Sequence, residues 1–127
     1  MKKLNYATFS APTRELNFKE VTGKDTLDIL REEIGGYVDV FRLRELDIWV
    51  DDEGINKQLS PSIIIKNSKD PQITDWDAVL FGPAVFACHD EMGNTVDLTE
   101  QAREIIKKFK PALLGAHPIL IYYNYEV

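Results

Sequence analysis

Glu33-Ile34-Gly35-Gly36-Tyr37-Val38-Asp39-Val40-Phe41-Arg42-Leu43-Arg44-Glu45-Leu46-Asp47-Ile48-Trp49-Val50-Asp51-Asp52-Glu53-Gly54 is the stretch that decides the fold. Gly35 follows an amphipathic run and sits where a left-handed residue ends a helix. Tyr37 to Leu43 carries apolar residues on both faces, which predicts a central strand. Leu46, Ile48 and Val50 alternate with Asp47, Trp49 and Asp51, the period of a half-buried strand. Only Arg44-Glu45 separates the two runs, so they pair as a hairpin. Asp52-Glu53-Gly54 closes the second strand as a turn, with Gly54 expected to supply a positive φ. Gly35, Gly36 and Gly54 are thus read as turn residues.

Upstream, Asp25 is placed to cap a helix whose Leu27, Leu30 and Ile34 fall on one face. Leu4 to Phe9 and Leu16 to Val21 read as strands, with Ala11-Pro12-Thr13 a turn between them. Downstream, Ser60-Pro61-Ser62 fits either a loop or a capped helix start, and Ile63 to Ile65 favours a strand. Residues 67–77 are polar and turn-rich. Ala78 to His89 then predicts one long strand interrupted at Gly82-Pro83 by a bulge or an edge position. Glu91 to Asn94 is a turn. Thr99 caps a second helix with Ala102, Ile105, Ile106 and Phe109 as its buried stripe and Pro111 near its end. Ile119 to Tyr125 is a final strand. The expected fold is a single α+β domain over residues 1–127, with a mostly antiparallel or mixed sheet of about six to seven strands and two helices packed on one side.

Composition bounds the function. The chain has 127 residues, 15 Lys and Arg against 21 Asp and Glu, and a formal net charge of −6. Its apolar runs are far shorter than a membrane span, so no membrane association is expected. Met1 to Tyr6 begins with a basic patch that no apolar segment follows, so secretion is not expected and the cytoplasm is. One cysteine excludes an internal disulfide framework. The acidity is uneven: residues 15–54 hold twelve acids and five bases, and residues 70–97 hold six acids and no Lys or Arg. Lys107, Lys108 and Lys110 form the one basic cluster, at a helix end where cations complement the helix dipole. An acidic chain repels a phosphate backbone, so nucleic acid is not an expected partner.

No motif names a reaction. Cys88-His89-Asp90-Glu91 with His117 holds metal-ligand types, but adjacent strand residues face opposite ways, so no metal or other cofactor is expected. Cys88 with His117 has the residue types of a nucleophilic pair, yet a buried strand thiol is the better explanation. Asp51, Asp52 and Glu53 cluster carboxylates without calcium-loop spacing, and a solvated turn accounts for them. Gly35-Gly36 follows a helix, unlike phosphate-cradling glycines. Trp49, on the polar face of its strand, joins Tyr37, Phe41, Trp76 and Phe81 as an exposed aromatic surface, or is covered by residues 67–77 or by a second subunit.

Glu33 to Val40, Leu46 to Val50, Asp52-Glu53-Gly54 and the Gly82 of Ala78-Val79-Leu80-Phe81-Gly82 together resemble a small family of unknown function found in phages, plasmids and related bacterial genomes. That pattern is a helix ending in Gly-Gly-Tyr, a hydrophobic-acidic strand, a strand into Asp/Asn-Glu-Gly, and a later strand containing Gly. The resemblance covers roughly residues 25–96. Where the family shows Leu-Pro-x-Asn, this chain has Leu59-Ser60-Pro61-Ser62, so no role of that Asn carries over. The resemblance implies a mobile-element setting and assigns no catalytic residue. The expected function is a non-enzymatic accessory protein that binds a protein partner or itself through Tyr37, Arg42, Arg44, Trp49, Asp51, Asp52, Glu53 and Trp76. The alternatives are a nucleotide-type ligand binder, with Arg42 or Arg44 meeting a phosphate, and an enzyme using Cys88, His89 or Asp51 to Glu53.

Overall fold

A computed structural model describes residues 3–10 and 15–125, so the turn expected at Ala11-Pro12-Thr13 lies outside the described residues. The elements in chain order are β1 Lys3–Ser10, β2 Glu15–Thr22, α1 Thr26–Ile34, β3 Val38–Leu43, β4 Leu46–Asp51, β5 Pro61–Lys66, β6 Ala78–Phe81, β7 Ala84–His89, β8 Thr95–Val96, α2 Glu100–Lys107, β9 Lys110–Leu114 and β10 His117–Tyr123. They form two sheets. The first runs β2-β1-β7-β4-β3, with β8 added on β7, and every pairing in it is antiparallel. The second runs β6-β5-β10-β9, with β5 and β10 parallel. The secondary structure is mostly strand, and the strands divide into sheets of six and four instead of one sheet of six to seven.

The extra strands are ones that a hydrophobic pattern barely marks. β8 has two residues, and β9 opens Lys110-Pro111 and is largely exposed. Pro111 is tolerated because β9 is an edge strand and needs no outward donor.

Helix limits follow the caps. Asp25 accepts the Leu27 N–H, and Gly35 at φ 90° returns its N–H to the Arg31 carbonyl. The Thr99 hydroxyl accepts the Ala102 N–H at 3.1 Å. The stripe of α1 is Ile29, Leu30 and Ile34, while Leu27 is exposed. The helices do not share a side. α1 buries its stripe with Leu4, Tyr6 and Val85 on one face of the first sheet. α2 buries Ala102, Ile105 and Ile106 in the core that joins the opposite face, through Ala7, Ile48 and Phe86, to Ile63, Ile65, Leu120 and Tyr122 of the second sheet.

That arrangement corrects two strand assignments. β3 is an edge strand, not a central one. β4 is closed on both faces, Leu46, Ile48 and Val50 toward the inter-sheet core and Asp47 and Asp51 buried on the α1 side. The predicted long strand 78–89 is two strands in different sheets. Gly82, at φ +81°, turns the chain out of β6 and donates to the Ser60 carbonyl at 2.8 Å, and Pro83 lacks the donor that would continue a ladder. Among the described residues no helix is long and apolar enough to cross a membrane.

Candidate functional site

The chain crosses between its two sheets through residues 52–60, and again at Gly82-Pro83, and the crossings touch. A Cβ on Gly54 would lie 3.2 Å from the Phe81 Cβ and 3.3 Å from the Phe81 carbonyl oxygen, and one on Gly82 would lie 2.7 Å from Leu59 Cδ1. Gly54 does not have the expected positive φ. It is there because the crossing β6 leaves no room for a side chain, and the left-handed residue of this loop is Gln58 at φ 57°.

The end of α1 joins the same seam. The Asp52 N–H donates to the Tyr37 carbonyl at 2.9 Å. Asp51 is buried, and its carboxylate accepts from the Glu53 N–H and from Lys57 Nζ, each at 2.8 Å. The Lys57 ammonium holds the Asp51 carboxyl below its ordinary range, and Asp51 in turn raises Lys57. Gly36 makes the pair possible, since a Cβ there would come 2.7 Å from Lys57 Nζ and 3.2 Å from the Asp51 carboxylate. A cleft of about 320 Å³ opens beside the turn, lined by residues 50–56 and by Val79, Leu80 and Phe81. Asp52 and Glu53 are exposed at it, with Ile55 72% and nearby Tyr37 70% exposed and the Arg31 guanidinium 5.3 Å from the Tyr37 ring centre.

A family described as a domain of unknown function, DUF3846, matches residues 7–110. The chain belongs to that family. No curated protein and no solved structure matches it. The matched span of the DUF3846 domain contains all three glycines of the seam, Gly36, Gly54 and Gly82, together with Gly35.

Of the residues singled out in the sequence, the DUF3846 fold brings Tyr37, Asp51, Asp52 and Glu53 together with Phe81 and the turn glycines, and sends Arg42, Arg44, Trp49 and Trp76 elsewhere. Arg42 pairs across the hairpin with Asp47, its Nε 3.5 Å from the carboxylate. Arg44, at φ 56° in the hairpin turn, reaches the Asn124 side chain at 3.5 Å. Trp49 is half-buried against the α1 cluster, so neither residues 67–77 nor a second subunit is needed to cover it. Trp76 is exposed on the loop before β6, where its carbonyl accepts from Asn67.

Two constellations escaped the sequence pattern. Asp47 is buried, and His89 Nδ1 lies 3.0 Å from each of its carboxylate oxygens. β4 and β7 are neighbours, with Asp47 opposite Ala87, which puts His89 on the same face two residues on. Cys88 faces away from that pair, into the core, with its Sγ 3.9 Å from the Thr99 hydroxyl. The second is Lys66 with Asp77, a pair at 2.6 Å that anchors the 67–77 loop. Eleven residues separate them, and only the return of β6 alongside β5 brings them together. Among the described residues no group of three or more His, Cys, Asp or Glu is arranged to hold a metal ion. Part of the acidity is also paired at the surface, Glu20 with Lys3, Glu33 with Lys19 and Glu32 with Lys24.

Proposed function

We propose that this DUF3846 domain is a non-enzymatic accessory protein that binds a protein partner, or a second copy of itself, through the surface at the seam. The observation that carries this reading is the exposure of two large apolar side chains, Tyr37 and Ile55, beside the free carboxylates of Asp52 and Glu53. An apolar centre with a charged rim is the usual make-up of a partner surface. The glycines beneath it let the two crossings pack closely under that surface. On this reading the setting is a phage or other mobile element, as the resemblance implies. The compartment is the cytoplasm, where a free thiol such as Cys88 stays reduced.

The test is site-specific photocrosslinking in the native host, with the reactive group at position 37 or 55. Met92, also exposed but in a different turn, serves as the control position. A discrete adduct from 37 and 55 and none from 92 is expected. A strict monomer by native mass spectrometry, with no adduct from either seam position, sinks the proposal.

An enzyme is the second reading, favoured by the His89–Asp47 contact, because a buried carboxylate on Nδ1 orients an imidazole for base catalysis. Turnover in a panel of ester and phosphodiester substrates, lost in His89→Gln, is its expected signature. Equal rates in both proteins dispose of it.

A further inference from the structure

A concavity of about 280 Å³ at the C-terminal end of α2 has a chemistry opposite to that of the seam. Its lining residues are Lys107, Lys108, Lys110, Tyr122 and Tyr123, with no carboxylate among them. The way α2 ends produces this arrangement. The Lys108 N–H turns back to the Ile105 and Ile106 carbonyls, and the Phe109 N–H reaches Ile106 at 3.1 Å. Phe109 is thereby driven into the core, its ring 5.6 Å from Phe86 and 5.2 Å from Tyr122, and the lysines on either side are left in solvent.

The lysines differ in their engagements. Lys107 is paired with Glu104 at 3.1 Å, both exposed. Lys110, held opposite Ile121 in the β9–β10 ladder, has its ammonium 5.3 Å from the centre of the Tyr123 ring. Among the described residues Lys108 has no side-chain partner, and neither does the Tyr122 hydroxyl. Complementing the helix dipole accounts for a cation in the last turn of α2. It does not account for Lys110, which is already in β9, or for tyrosine walls around the three cations.

We propose that this concavity binds a phosphorylated small molecule. Its phosphate oxygens accept from Lys107, Lys108 and Lys110, and the rest of the molecule lies against the Tyr123 ring, while Tyr122, its ring packed on Phe109 in the core, closes the inner end. Lysine is a compact point charge suited to phosphate. Three lysines on one concave surface focus a positive potential that a net charge of −6 conceals. The volume lies just below the usual range for ligand sites, which suits a diphosphate group with any larger part of the ligand extending along the surface. Arg42 and Arg44, the phosphate contacts of the alternative ligand-binding reading of the sequence, are engaged with Asp47 and Asn124. The phosphate chemistry therefore moves to a different part of the molecule.

Calorimetric titration of the whole chain with pyrophosphate, ATP and adenosine, at matched ionic strength, is the test. Saturable binding of pyrophosphate and ATP is expected, weakened about tenfold or more, or 1.4 kcal/mol, in Lys108→Ala/Lys110→Ala. Arg42→Ala/Arg44→Ala should retain it. Tighter binding of ATP than of pyrophosphate identifies a nucleotide, and equal binding identifies a bare polyphosphate. No saturable binding of either phosphate probe overturns the proposal, as does an affinity unchanged in the double Ala variant or binding of adenosine alone. Both lysines are exposed, and an unchanged melting temperature shows that the variants fold.

Discussion

Asp47 and Asp77 are both buried carboxylates, and the protein satisfies them in different ways. The Asp77 side chain is 0% exposed and takes the Lys66 ammonium, itself 7% exposed, at 2.6 Å. It also accepts the N–H groups of Asn67, Ser68 and Thr74 at 2.8, 3.1 and 3.0 Å. Asp47 is as deeply buried, but its partners His89 and Arg42 are 31% and 53% exposed and come from two other strands. A carboxylate ringed by the backbone of one loop folds that loop. One held by side chains that reach water keeps a route by which solvent or a ligand acts on it.

The largest effect should come from the closed cage. Asp77→Ala strands a buried Lys66, whose remaining contact is the Gln72 carbonyl at 2.7 Å, and three backbone donors. A loss of about 3–5 kcal/mol in urea unfolding is expected, with new proteolytic cleavage inside residues 67–77. The acid limb of stability carries the same information. Burial alone would raise the Asp77 carboxyl, but the Lys66 ammonium and the three N–H groups outweigh it and hold it far below the ordinary carboxylate range. The folded state therefore binds its proton less readily than the unfolded chain, whose Asp titrates near ~3.9. This stabilisation is complete above roughly pH 4 and is lost as pH falls further. Asp77→Asn should flatten that limb, and identical acid curves for the two proteins would break the comparison.

Asp47→Ala should cost less, about 1–2 kcal/mol, because His89 and Arg42 can turn to water once the carboxylate is gone. Paired urea titrations of the two Ala variants decide the matter. Equal losses would mean that the exposure of the partners is irrelevant and that depth alone sets the penalty.

This contrast also marks how far the sequence could be read. The hairpin from Val38 to Asp51 was legible because alternation and a two-residue connection are local signals, as were the caps Asp25, Gly35 and Thr99. The placing of β3 at an edge and of β4 under α1 depends on sheet order, which no local pattern carries. For the same reason Asp47 read as a solvated residue. At the seam, Tyr37 and Asp51 to Glu53 stood out as motifs, but the approach of Phe81 to the turn at Gly54 follows only from the chain changing sheets at Gly82. The 67–77 segment was legible as a loop, and its anchor was not, since Lys66 looks like any lysine ending a strand.

The smallest effect separates satisfied burial from unsatisfied burial on one face of β4. Trp49 lies two residues from Asp47, and its Nε1 is buried with no acceptor among the described residues. Trp49→Phe removes a donor whose burial is itself unfavourable by about 1–3 kcal/mol. It also leaves a smaller ring against the α1 cluster, and the gap costs about 24 cal/mol per Å³. The two effects oppose each other, so a net change within about 1 kcal/mol is expected in the same titrations. The emission left to Trp76 should be that of an exposed indole. A loss matching that of Asp47→Ala would mean that the shape of the indole under α1 outweighs the penalty of its unpaired N–H, and that packing, not polar satisfaction, governs this face of the sheet.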